Sequence, residues 1–170
     1  MTSSDSLIAS NGILNIPYSK SVLGTPFTPS NNYMLSVILK LNVGSGSAAR
    51  KMLVGCADGG LGAYPPYWIY STNGEERPIL YADYDIGKWH RIDIFKFFGT
   101  YLYRYNKQVK VSSDVEYWSA AAPTGLFMRN TTEYYYSIDV AFLGYLDHFP
   151  SSSELQLLDI SVDSIYNQLS

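Results

Sequence analysis

An all-β fold, two packed sheets or a barrel, closed by a short C-terminal helix, is what the residues of this chain predict. Three observations lead there. Aromatic residues make up 15% of the 170 positions, with 16 Tyr among them, and Tyr favours pleated, half-buried surfaces. Short runs of alternating apolar and polar residues recur with turn signals between them every ten or so residues, the spacing of sandwiches and barrels. Helical patterning is confined to the last part of the chain.

The elements follow in order. Leu7, Ile8 and Ala9, then Ile13, Leu14 and Ile16, read as short strands around an Asn11-Gly12 turn. Residues 19–30, rich in Ser, Thr, Gly and Pro, read as loop. Over residues 33–43 the alternation is clear. Tyr33, Leu35, Val37, Leu39 and Leu41 share one face, and Met34, Ser36, Ile38 and Lys40 the other. Apolar residues on both faces mark a strand buried on both sides. The run from Met52 to Ala57 is a strand leading into a turn at Asp58, Gly59, Gly60, Leu61 and Gly62. Tyr67 to Tyr70 is a strand ended by Asn73-Gly74, with Glu75 and Glu76 in that turn and a strand from Ile79 to Ala82. Trp89 to Ile94 is a strand, and the run from Gly99 to Val109 is a hairpin turning at Asn106-Lys107. Ser151 and Glu154 stand at capping-box spacing. Leu155, Leu157 and Leu158 should pack that first turn down, with residues 159–170 a second short helix or a tail. The expected organisation is one domain over 1–170, its core at about 7–158.

Composition excludes several classes. A net charge of -3 with no basic stripe argues against nucleic acid. Cys56 is the only cysteine, so no intrachain disulfide forms; it reads as a small apolar core residue. No apolar run is long enough to span a membrane as a helix. Residues 1–5 lack the features of a signal peptide, so the expectation is a cytoplasmic protein, part of a particle assembled in a cytosol, or a chain given without its signal.

The order of these pieces resembles the concanavalin A-like jelly rolls, the lectin and glucanase fold, and especially its laminin-G-like members. Trp89-His90 opens a strand with Ile92 and Ile94, a tight hairpin follows, and then come Ile138-Asp139 and the segment from Ser151 to Glu154. The hairpin departs from the family, which often has Asp-Gly where this chain has Asn106-Lys107. The resemblance covers residues 7–158. It implies a two-sheet antiparallel jelly-roll sandwich that binds sugars or protein surfaces.

The chain lacks the carboxylates that catalysis on this fold requires. Glucanases of this fold set two Glu and an Asp alternately on one strand, so that all three carboxylates face the cleft and supply nucleophile and general acid. The stretch around Ile138, Asp139 and Val140 has neither Glu, and Arg91 to Lys96 fails in the same way. His90 and His148 are the only histidines, one in the Trp-His pair and one in a loop before Phe149-Pro150. Gly59, Gly60 and Gly62 lack the Lys of a phosphate loop. The reading is non-catalytic. The resemblance brings calcium into question, with Asp58, Asp83, Asp85 and Asn130 as oxygen donors. The competing reading makes each a turn former.

Sugar rings stack their C–H faces on aromatic side chains, while neighbouring polar groups fix their hydroxyls. Asp58 with Tyr64, Tyr67, Trp68 and Tyr70 supplies both kinds. Arg129 and Asn130 before a Tyr triplet supply a second set, and Trp118 after Glu116-Tyr117 a third. Trp68 and Tyr70 alternate with Tyr67 and Ile69, so one pair faces the interior. The predicted function is a lectin-like module. The alternative is a structural or protein-interaction domain of the same fold. The Ser/Asn/Tyr/Gly-rich style resembles bacteriophage virion proteins, which implies a tail or baseplate accessory that grips host saccharide beside other virion proteins. A homo-oligomer is expected only where residues 1–6 or the C-terminal tail engage a partner.

Overall fold

The computed structural model describes residues 9–16, 22–23, 32–42, 51–56, 59–64, 67–72, 75–81, 86–97, 100–111, 125–126 and 137–169. Two antiparallel sheets and one helix make up these residues. The first sheet holds seven strands: β1 (Ala9–Ser10), β2 (Ile13–Ile16), β4 (Tyr33–Leu41), β9 (Trp89–Phe97), β10 (Thr100–Tyr105), β11 (Gln108–Val111) and β13 (Ile138–Leu146). Their order is β1-β2-β13-β4-β9-β10-β11. The second holds β3 (Val22–Leu23), β5 (Lys51–Cys56), β6 (Gly59–Tyr64), β7 (Tyr67–Thr72), β8 (Glu75–Tyr81) and β12 (Gly125–Leu126), in the order β3-β12-β5-β6-β7-β8. Long crossovers seat β13 between β2 and β4, the strand exchange of a jelly-roll sandwich.

Two tight turns of the first sheet, among the described residues, follow from their residues. Asn11 and Gly12 have φ of 53° and 76°, and Asn106 and Lys107 of 45° and 69°. These are the left-handed pairs whose twist matches a hairpin. Asn106 also anchors its turn, since its Oδ1 accepts the Arg91 amide at 2.9 Å while its own amide donates to the Arg91 carbonyl at 2.9 Å.

Strand β4 is the centre of the first sheet and is buried along nearly its whole length. Leu35, Val37, Leu39 and Leu41, with Ile92, Ile94, Tyr103, Ile138 and Val140, form the apolar interior face. Met34, Ser36, Ile38, Arg91, Asp93, Phe95 and Arg104 form the opposite face, and are buried too. What covers that outer face is α1 (Ser152–Leu169), whose Val162 is 0% exposed. On β13 a bulge between Val140 and Phe142 turns the Phe142 ring across Gly144, where a Cβ would sit 2.8 Å from it.

Five expectations differ from the structure. Residues 19–30 are not all loop, because β3 pairs there with β12. The stretch read as a turn at Gly59 to Gly62 is strand β6, hydrogen-bonded on both sides to β5 and β7. Glu75 and Glu76 stand in β8, paired with Thr72 and Ser71. Glycine lowers strand propensity, and the ladder on both edges overrides it. The C-terminal segment is one 18-residue helix, because Asp159 and Asp163 are held down by arginines that local patterning does not reveal. Leu157 does not pack the first turn: it is 66% exposed.

Candidate functional site

The β6–β7–β8 meander carries the aromatic residues singled out for binding. Its register places Tyr64 opposite Tyr67, and Tyr67 opposite Tyr81, so three tyrosines occupy one row across three neighbouring strands. Paired residues lie on the same face, and strands are about 4.8 Å apart. Gly62 and Gly60 continue that face along β6. Trp68 pairs with Ala63 and Leu80, and Tyr70 with Leu61 and Arg77, so both lie on the other face. The four aromatics therefore divide two and two between the faces of one sheet. The β5–β6 connection joins at Cys56 and Gly59, the far end of β6 from the Tyr64–Tyr67 pair. Tyr81 was missed from sequence: it belongs to a strand whose partner register no local signal gives.

Asp58, Asp83, Asp85, Trp118, Arg129 and Asn130 lie outside the described residues. So do the side chains of β5 to β8, for which the backbone register is described. Among the described residues, no three His, Cys, Asp or Glu side chains converge as metal ligands.

A second cluster, on the outer face of the first sheet, was not anticipated. Asp93 is 0% exposed and central to it. Its Oδ1 accepts Ser36 Oγ at 2.5 Å and Arg91 Nε at 3.3 Å, and its Oδ2 accepts Arg104 Nε at 2.9 Å. From α1, Asp159 receives both Arg104 terminal nitrogens at 2.7 and 3.0 Å and Arg91 Nη2 at 2.5 Å. Asp163 receives Arg91 Nη1 at 3.1 Å and an ion pair from Lys107. Burial pushes the Asp159 carboxyl up, but Arg104 and Arg91 outweigh it and hold the group below the usual carboxylate range. Asp93 has both oxygens engaged and no solvent contact, so it cannot meet a substrate. The cluster clamps helix to sheet. Arg91 and Asp93 alternating with Ile92 and Ile94 in one strand was the available signal.

His90 belongs to the opposite face and is buried, its Nδ1 2.6 Å from the Tyr105 hydroxyl and its ring stacked on the Tyr105 ring. Trp89 is half-buried beneath the Lys40 ammonium, 4.9 Å from its ring centroid. Both side chains are taken up in these packing contacts.

At the start of α1 the capping box forms as predicted. Glu154 accepts from the Ser151 amide at 2.9 Å and its own amide donates to Ser151 Oγ at 3.3 Å. His148 Nε2 lies 3.0 Å from Glu154 and its Nδ1 3.0 Å from Asp147. The Ser151 hydroxyl and amide, with His148, lower the Glu154 carboxyl to about 2. Asp147 and Glu154 raise His148 above its ordinary value. A depressed carboxyl stabilises the fold above its unfolded pKa and ceases to do so as pH falls through the folded value. A raised imidazole stabilises below its unfolded pKa, and that is lost as pH rises through the folded value. The melting temperature should therefore fall as pH drops through and below the ordinary carboxylate range, as Glu154 and Asp159 take up protons. A smaller fall is expected above neutrality as His148 loses its proton. Thermal melts from pH 2 to 9 check this, and His148→Gln should remove the alkaline part while only lessening the acid part, since the Ser151 bonds to Glu154 remain.

No family model and no curated protein sequence matches the chain. Solved structures do. The botulinum neurotoxin serotype D binding domain aligns at 12% identity with a TM-score of 0.59, over 88% of this chain and 42% of that one. The serotype G binding domain aligns at 11% with a TM-score of 0.60, over 89% and 43%. A Trypanosoma rangeli sialidase aligns at 14% with a TM-score of 0.56, over 89% and 28%. The chain thus spans about two-fifths of those binding domains and less of the sialidase. At such identities the likeness is one of fold, and that fold is the jelly-roll β-sandwich.

Proposed function

We propose that the chain is a non-catalytic, lectin-like module that binds saccharide on the tyrosine row of β6, β7 and β8. The observation that carries this is the register: Tyr64, Tyr67 and Tyr81 stand side by side across three strands. Successive rings on such a row suit successive sugar rings, whose C–H faces stack on aromatic surfaces. Gly60 and Gly62, on the same face, leave the backbone bare beside the row, as strands do where a ligand approaches closely. On this reading Trp68 and Tyr70 face the sandwich interior. The non-catalytic part rests on the vacant Glu positions beside Asp139 and on the sealed environment of Asp93. The neighbours named as binding domains agree with it at the level of fold.

The finer reading is a host cell-surface or cell-wall saccharide gripped by a phage tail or baseplate protein. Its support is the Ser/Asn/Tyr/Gly-rich style of the sequence. Single-site affinity would then be multiplied by the copies on one particle. Asp58, Asp83 and Asp85 are the calcium donors to be tested with it.

The experiment is a screen of glycans, bacterial cell-wall polysaccharides and whole cells, with and without EDTA. Tyr67→Ala and Tyr81→Ala should each weaken binding about tenfold or more, while Trp68→Phe leaves it within about twofold. Loss on Trp68→Phe with Tyr67→Ala unaffected would move the site to the other face. Wild type that binds no glycan and no cell would end the saccharide reading, and loss with EDTA would bring in calcium.

A further inference from the structure

Glycines cluster on the tyrosine face of the second sheet. Gly125 of β12 pairs with Gly55 of β5, and Gly55 pairs with Gly60 of β6. Gly62 stands between Gly60 and Tyr64 in the alternation of β6. Pairing and alternation therefore put Gly125, Gly55, Gly60 and Gly62 on the face that holds Tyr64, Tyr67 and Tyr81. The other face holds Leu126, Val54 and Leu61 in one row, and Ala63, Trp68 and Leu80 in the next. Protein interiors are close-packed. The aliphatic rows suit an interior, and a cluster of glycines in their place would leave it hollow.

The glycines continue the tyrosine row in a definite direction. Tyr81 belongs to the edge strand β8, and its row runs through Tyr67 to Tyr64. Gly60 lies further along β6 from Tyr64, and its row runs through Gly55 to Gly125. A straight line from Tyr81 to Gly125 crosses β6 at Gly62, midway between the two rows. On β7 it passes between Tyr67 and Ile69, and on β5 between Met52 and Gly55. With strands about 4.8 Å apart and a rise of about 3.4 Å per residue, the line is about 23 Å long.

We infer that the site takes an extended, unbranched glycan, laid obliquely across the strands from Tyr81 over Gly62 to Gly125. This rests on the saccharide reading above and adds the shape of the ligand. A track of about 23 Å holds about four or five sugar rings. At the tyrosine end the rings stack on aromatic residues. Beyond it they settle on backbone that carries no Cβ, as strands allow where a ligand approaches closely. Tyr67 and Met52 hold positions on one side of the line and Ile69 on the other, so the track is one chain wide. A straight track suits equatorially linked sugars, whose chains are straight, rather than coiled or branched ones. A single terminal sugar would need the tyrosines alone. Glycine weakens a strand interior, so a solvated face without a ligand gains nothing from this cluster.

Isothermal titration calorimetry of the full chain tests this, with linear β-1,4-linked oligomers of glucose and of N-acetylglucosamine from about two to about six rings. Affinity for one series should rise about tenfold or more between two rings and four or five, then level off. Gly62→Val should bring the five-ring affinity down to the two-ring value and leave the two-ring value within about twofold. Gly125→Val, at the far end, should lower the five-ring affinity alone. Valine favours strands, so neither melting temperature should fall. Tyr67→Ala should weaken binding at every length. Affinity independent of length, or both valine variants binding as wild type while Tyr67→Ala binds weakly, would overturn this inference and leave the saccharide site standing. Binding confined to branched, coiled or single-sugar glycans would do the same, as would loss of the fold in both valine variants, which would put the glycines inside the sandwich. Wild type that binds no glycan at all would end both readings.

Discussion

Replacing Asp93 by alanine should cost about 3–5 kcal/mol of folding stability, the range for breaking a buried ion pair by removing one partner. Arg91 is 1% exposed and Arg104 7% exposed, and Asp93 is the acid between them. Without it two guanidinium groups lie side by side in a space that water does not reach, and the Ser36 hydroxyl loses its acceptor. Asp159, which bridges both guanidinium groups, and Asp163 remain, but each is about a quarter exposed and neither fills the buried side of the pair that Asp93 occupies. Asp93→Asn should fare little better, because an amide supplies one acceptor and no charge for two cations. Urea unfolding measures the effect as a lower midpoint at unchanged slope. A loss under about 1 kcal/mol would mean that water replaces the carboxylate, and that the network is not sealed. Ser36→Ala, which removes a single bond, should cost about 1 kcal/mol.

Ile38→Ala and Leu39→Ala should each destabilise by about 2–5 kcal/mol, although the two side chains point to opposite faces of β4. Both are 0% exposed. In a sandwich whose outer surface is bare, the outward residue of such a pair is replaced at little cost. Here α1 covers Ile38, which pairs across the sheet with Phe142 and Arg91. Truncating it opens a cavity beneath the helix, next to the charged cluster. Thermal and urea unfolding of both variants decide this. An Ile38→Ala loss below about 1 kcal/mol beside a full Leu39→Ala loss would show that the helix does not seat on the sheet in solution.

The same pair of residues shows what the sequence could and could not say. Alternation over residues 33–41 gave apolar residues on both faces, and hence a strand buried twice over, because strand side chains project with a period of two. Turn residues located both hairpins at Asn11-Gly12 and Asn106-Lys107, because few residues accept a left-handed backbone. The capping box located the start of the helix, because its bonds join residues three apart. These are local relations, written in neighbouring positions. Strand pairing is not local. That Tyr81 stands beside Tyr67, and that Trp68 parts from it to the other face, follows from register between chain segments that no short window contains. The charged cluster is further still from local reading. Arg91 and Asp159 are 68 residues apart, and an arginine beside Ile92 in a strand looks like a solvated residue until a helix arrives to close over it. Turns, caps and face patterns were thus determined by the sequence alone. The partner of each strand, the covering of the outer face and the fate of its charges were decided by the tertiary structure, because burial and ion pairing depend on which distant segments the chain brings together.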